Sequence, residues 1–223
     1  MMMSSSNLVS KNCPCKIKKF STLIPIVLYI NLAHRQDRKQ QFLSNFPTNP
    51  PVLIRIDAVL NNQNGHIGCL KSHIKTLKYA LDNYSNLEYI AICEDDFYIP
   101  DMKYCEKMIN RFFRTKLKWD VLMLAHHTAY LDQTTFKSII KIIDSQTTAG
   151  YVIKIAYIPK LLAIYERDLA TFERTGIWTD NYCTDQSWKV LQKKDNWYSF
   201  LPRVAVQRES YSDIVKANVN YNA

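Results

Sequence analysis

The sequence predicts an α/β domain with a mostly parallel central sheet flanked by helices, and three observations carry that prediction. Short runs rich in β-branched and aliphatic residues, at 26–30, 52–58 and 89–93, alternate with stretches of helical periodicity. These runs are apolar almost throughout, as strands buried on both faces must be. The 223 residues suffice for one domain whose core needs no disulfide staples.

The elements follow in order. Residues 1–22 begin polar and small and are expected to form a flexible leader, with the folded domain over 23–215 and a flexible tail over 216–223. Ile26–Ile30 is the first strand, ending at Asn31. His34–Leu43 is charged and helical, and Pro47, Pro50 and Pro51 end it. Val52–Ala58 is the second strand. From Cys69 to Tyr84, Leu70, Ile74, Leu77 and Leu81 recur at helical spacing, with Gly65 and Gly68 placed before that helix as turn residues. Tyr89–Cys93 is the third strand. Asp101 caps a helix through Met102, Cys105, Ile109 and Phe112. Trp119–Ala125 and Tyr151–Ile153 are further strands. Pro159 opens a helix through Leu161, Leu162 and Tyr165. Gln186–Lys194 is a short helix, and Phe200–Gln207 is extended with a break at Pro202.

Composition narrows the function classes. The formal net charge is +9, but the basic residues are scattered and form no long block, so no nucleic-acid partner is expected. The six cysteines include Cys13-Pro14-Cys15, whose spacing is too close for a zinc half-site, and are expected to be free thiols. The apolar run Leu23–Leu32 is too short to span a bilayer and contains Pro25. With no signal peptide or membrane segment in view, the expected location is cytoplasmic.

The chemistry concentrates at Glu94-Asp95-Asp96, three carboxylates directly after a buried strand. Such a cluster costs stability unless something positive compensates it. Strand carboxyl ends are where open α/β sheets bind ligands. Hard oxygen ligands suit Mn2+ or Mg2+, and such a cation could neutralise a diphosphate. Arg35 and Arg38, three apart after the first strand, could share a helix face and reach phosphate or base, or simply be solvated. Asp57 could accept hydrogen bonds from a base or ribose, or cap a turn. Gly65 and Gly68 would let backbone amides approach an anion at a helix N-terminus, with Ser72 and His73 nearby. His73 taken alone is more simply a packed residue, and structural roles are expected for His126 and His127.

In this order the segments resemble glycosyltransferase family 25, the lipooligosaccharide and collagen galactosyltransferase group. Tyr29-Ile30-Asn31-Leu32 with Arg35 and Arg38 looks like its opening motif, and Asp57-Ala58 like the end of its second strand. Gly65 through Ser72-His73 is similar to its glycine, serine and histidine motif, and Tyr89 through Asp96 to its strand with a metal-binding acidic triplet. Thr147–Ile153 resembles the segment beneath its acceptor site. Pro202–Gln207 and Ser212-Asp213-Ile214 resemble its closing segment.

The resemblance implies a single GT-A-type domain and a UDP-sugar donor, with galactose or glucose transferred under inversion to a hydroxyl of a glycan or protein. It implies donor contacts from Asn31, Leu32, Arg35, Arg38, Asp57, Ala58, Gly68, Ser72, His73 and Asp95, and a metal on Glu94 and Asp96. Asp185, or else Asp180, would be the base. A metal-dependent nuclease using the same carboxylates, or a silent glycan-binding relative, are the alternatives.

Overall fold

The computed structural model describes residues 16–214 and 216–220. A short helix α1 (Phe20–Leu23) precedes β1 (Ile26–Asn31), α2 (Gln36–Leu43), β2 (Val52–Asp57) and the long α3 (Gly65–Tyr84). Then come β3 (Tyr89–Glu94), β4 (Phe97–Tyr98), α4 (Met102–Arg114), β5 (Val121–Met123), β6 (His127–Gln133), β7 (Ile139–Gln146) and β8 (Gly150–Lys154). The chain continues through α5 (Ile158–Thr175), α6 (Thr184–Ser187), α7 (Lys189–Gln192) and β9 (Trp197–Phe200). It closes with β10 (Val206–Gln207), β11 (Ser210–Ser212) and β12 (Ala217–Val219).

The central sheet has eight strands in the order β2-β1-β3-β8-β5-β9-β7-β6. The pairs β1–β2, β1–β3 and β5–β9 are parallel. Strands β8 and β7 run against their neighbours, so the other six point one way. The predicted α/β class and flanked sheet are therefore present, with antiparallel pairings concentrated around the two reversed strands.

Alternation along β1 explains the layering. Val27 and Tyr29 face a core shared with Phe42 of α2 and with Cys105, Ile109 and Phe112 of α4. Leu28 and Ile30 face the opposite core, built with Leu70 and Leu77 of α3 and with Leu161 and Tyr165 of α5. Burial on both faces makes β1 and β3 continuous apolar runs.

The helix boundaries have local causes. The Asp101 side chain accepts a bond from the Tyr104 amide, capping α4 as expected. Pro159 lies in the first turn of α5, and Gly176 ends that helix at φ +68°. Helix α3 starts earlier than the periodicity suggests, because the Asn64 side chain caps it through the His66 amide. Gly65 and Gly68 thus lie inside its first turns instead of before it. At Gly68 a Cβ would sit 2.5 Å from the Val59 carbonyl oxygen, so glycine is what lets α3 press against the loop after β2.

Two expectations need correction. The folded part extends beyond 23–215 at both ends. Phe20 and Leu23 are buried in α1 against α4, with the Phe20 amide bonded to Glu106 at 3.0 Å, and β12 pairs with β11 after residue 215. The Gln186–Lys194 helix is instead two single-turn pieces, α6 and α7, meeting at the buried Trp188. The β6–β7 hairpin has no counterpart in the sequence reading. Residues 1–15, including Cys13 and Cys15, lie outside the described residues; Cys69, Cys93, Cys105 and Cys183 are free thiols. No helix among the described residues is long and apolar enough to cross a membrane.

Candidate active site

Parallel pairing of β1 with β3 sets Ile30 opposite Glu94, so Asn31 and the acidic triplet emerge side by side at the strand ends. The three carboxylates then diverge. Glu94 points toward α3, where its Oε1 meets His73 Nε2 at 3.0 Å and accepts a 2.6 Å bond from Thr148 Oγ1. Asp95 turns toward β1, its Oδ2 accepting from Asn31 Nδ2 at 2.7 Å and its Oδ1 from Arg38 at 2.9 Å. Asp96 accepts a 3.1 Å bond from Gln207 on Oδ2 and lies 3.3 Å from the Arg38 guanidinium. Among the described residues its Oδ1 is buried without a hydrogen-bond partner. Leaving such an atom unpaired costs about 1–3 kcal/mol or more, which a bound cation would recover.

These environments separate the acids. Burial pushes the Asp96 carboxyl up to about 7, helped by the negative charges of Glu94 and Asp95 and opposed by Arg38 and the Gln207 bond. Asp95 is raised for the same first reason, with Arg38 and Asn31 pulling against it. Burial also acts upward on Glu94, but the bonds and charge of His73, with Thr148 and Arg38, leave it below the ordinary range.

Two cavities adjoin at this point. The first, about 150 Å3, lies between the ends of β1 and β3, the start of α3 and the loop after β2. Asn31, Leu32, Arg38, Ala58, Gly68, Ser72 and His73 line it, together with the whole triplet. Ser72 serves as a brace, accepting the Val59 amide and donating to the Gly68 carbonyl. The closing segment roofs this cavity with Ser212, Asp213, Ile214 and Val219. The second cavity, about 430 Å3, shares Cys69, Glu94, Gln207 and Ile214 with the first. Asp180 and Asp185 both line it, with Thr147 and Thr148 from the approach to β8. The Thr147 amide donates to Asp185 at 3.2 Å, and burial raises the Asp185 carboxyl above its ordinary value.

Two predicted donor residues point elsewhere. Asp57 is exposed and ion-pairs with Arg55 at 2.6 Å instead of lining either cavity, although Ala58 beside it does line one. Arg35 is occupied by Asp37 and by Asp213 and the Tyr211 carbonyl of the closing segment. Arg38, three residues on, also reaches Ser210 and Tyr211, so the two arginines do share a face and clasp the same hairpin.

His126 is buried between Thr128 and the Phe200 carbonyl, as a structural histidine should be, whereas His127 faces the second cavity. Gln207, Thr148 and Arg55, which holds Asn31 through Nε at 2.9 Å, were not singled out by residue type. Only position within the later motifs points to the first two.

One further cluster, Cys69, His73 and Glu94, brings three potential ligand atoms within 4.8 Å. Its thiol is held protonated by burial, well above the usual range, and His73 already bonds Glu94. It is a hydrogen-bonded support for Glu94, whereas the hard, unpaired oxygen belongs to Asp96.

Part of the chain is similar to a known family. Residues 63–171 match the model of glycosyltransferase family 25 (LPS biosynthesis protein). No curated protein matches in sequence. Among solved structures, similarity is found to a glycosyltransferase involved in glycosylation of the major capsid of PBCV-1, at TM-score 0.48 and 9% identity over 86% of this chain and 95% of that one. A197 from STIV gives 0.46 and 9% over 89% and 94%. Mannose-1-phosphate geranyltransferase from Thermus thermophilus gives 0.44 and 8% over 85% and 75%. The matched segment runs from the start of α3 into α5 and contains the acidic triplet and Thr148, with Arg38, Asp185 and Gln207 outside it. Over residues 63–171, just under half of its length, this chain is similar to glycosyltransferase family 25.

Proposed function

We propose that the protein is a metal-dependent, inverting glycosyltransferase of GT-A type that moves a hexose from a UDP-sugar to a hydroxyl of a glycan or protein. The observation that carries this reading is the buried, unpartnered Asp96 Oδ1 beside a cavity that adjoins a second one bearing Asp185. Asp96 would hold Mn2+ or Mg2+ with help from Glu94, and the ion, when bound, supplies positive charge for the departing diphosphate.

The remaining tasks fall to the chain itself. The first cavity would take the nucleotide, with Leu32 and Ala58 as apolar wall and Asn31 held rigid by Arg55 and Asp95. Arg38 offsets part of the charge of Asp95 and Asp96, pulling both carboxyls down against the stronger upward push of burial. In the second cavity Asp185 accepts the proton of the acceptor hydroxyl. The new bond forms between that oxygen and the anomeric carbon from the face opposite the nucleotide, and the bond to the diphosphate oxygen breaks, releasing UDP. Burial makes Asp185 a stronger base than an exposed aspartate, and the Thr147 amide fixes its orientation. Asp180, exposed at the rim, is the second candidate.

The test is turnover of UDP-hexoses with and without Mn2+, in wild type and Asp96→Asn. The proposal expects metal-dependent release of UDP that the substitution abolishes while thermal unfolding stays cooperative. Full turnover in the variant would remove Asp96 from the metal site. Cleavage of labelled DNA or RNA without any binding of UDP would replace the reading with a nuclease.

A further inference from the structure

We infer that the second cavity is a subsite for an uncharged sugar and rejects carboxylated or phosphorylated ones. The inference rests on the glycosyltransferase reading above and specifies its acceptor. The cavity is large enough, at about 430 Å3, for a sugar ring. Among the described residues its lining carries three carboxylates, Glu94, Asp180 and Asp185, and neither lysine nor arginine. The remaining polar groups are the imidazoles of His66 and His127, the thiols of Cys69 and Cys183, and amides and hydroxyls such as Gln146, Thr147, Asn181 and Gln186, which suit hydroxyl recognition.

The cations that could offset those acids are engaged elsewhere. Lys189, the cation that most eases Asp185, is not in the lining and ion-pairs with Asp144 at 2.8 Å. Arg38 faces the first cavity and is held by Asp95, Asp96 and the closing hairpin. A metal held by Asp96 with help from Glu94 would offset Glu94 at the wall the two cavities share, which leaves Asp180 and Asp185 as the acids that set the charge of the second. Asp180 and Asp185 therefore act on whatever enters the second cavity with no lysine or arginine beside them in its described lining. An anionic sugar meets like charge at several points, whereas a neutral one donates hydroxyls to the same oxygens. The protein's net charge of +9 makes this selectivity a local property, opposite in sign to the molecule as a whole.

The test is ligand-observed NMR titration of three probes: a methyl hexopyranoside, its 6-carboxylate and a hexose 6-phosphate. Full-length protein is used with UDP and Mn2+ present and with both omitted, at a pH above the ordinary imidazole range. The neutral glycoside should bind at least about tenfold more tightly than either anion, equivalent to one pKa unit of interaction. Gln186→Lys and the rim variant Asp180→Lys should each narrow that gap by raising affinity for both anions. Equal or tighter binding of an anion by wild type, no binding of the neutral glycoside, or variants that leave the ratio unchanged would overturn the inference. UDP-hexose hydrolysis without acceptor is measured in parallel. Its absence would defeat the glycosyltransferase reading alone, because the sugar-binding ratio does not depend on turnover.

Discussion

The two cavities share Glu94 and Gln207 yet solve opposite electrostatic problems. In the first, acids and arginine are packed into fixed pairs: Asp95 is satisfied on both oxygens, Arg38 bridges Asp95 and Asp96, and one oxygen of Asp96 is left over. In the second, among the described residues, acids line the wall with two imidazoles but neither lysine nor arginine, and Asp185 is held by a backbone amide. A nearly neutralised cluster with one unpaired oxygen suits a cation, whereas an isolated, desolvated carboxylate suits proton transfer. Glu94 stands between them, its Oε1 tied to α3 by His73 and to the approach to β8 by Thr148.

Substitutions can separate the two halves. Asp185→Asn keeps shape and removes the base, so transfer should fall on the order of 10²–10⁴-fold while metal-dependent hydrolysis of the donor changes little. Steady-state assays with and without acceptor read both. An equal loss in the two would show that the cavities are not divided in this way.

Arg38→Leu should act on the first cavity alone, by stranding Asp95 and Asp96 without their buried counter-charge. Urea unfolding should report a loss of about 3 kcal/mol, partly restored by Mn2+. An unchanged midpoint would mean that Arg38 does not balance the triplet.

The smallest effect concerns pH. Asp96 has its carboxyl raised from 3.8 to about 7 in the fold, so between those values the folded chain keeps a proton that the unfolded chain has released. Its contribution is full below about pH 4 and is lost as pH rises toward 7. Glu94, lowered in the fold, contributes the other way, and its support disappears on acidification. Comparing wild type with Asp96→Asn isolates the first trend. The variant should gain on the order of 1–3 kcal/mol relative to wild type between about pH 4 and 7. A constant difference across that range would contradict the burial of Asp96.

Legibility in the sequence follows the same division. Strands β1 and β3 are apolar on both faces, so their ends, and the triplet beyond, could be located from residue type alone. The Asp101 cap and Pro159 are local signals and gave correct helix starts. Strand β6 is exposed along most of its length and shows no alternation, so its hairpin with β7 left no periodic trace. The opposite aims of Glu94 and Asp96 depend on partners at His73, Thr148 and Gln207, up to 111 residues away, which no local pattern encodes. The division between Arg35 and Arg38 likewise depends on a hairpin more than 170 residues downstream. Asp57 was misplaced because the end of β2 marks the cavity wall, but its side chain turns outward to Arg55.

If the leftover oxygen of Asp96 is a cation site, calorimetric titration of Mn2+ in the presence of UDP will show it. Wild type should bind one ion with an affinity that UDP increases, and Asp96→Asn should show no such binding while retaining its fold by circular dichroism. Unaltered Mn2+ binding in Asp96→Asn would contradict the claim.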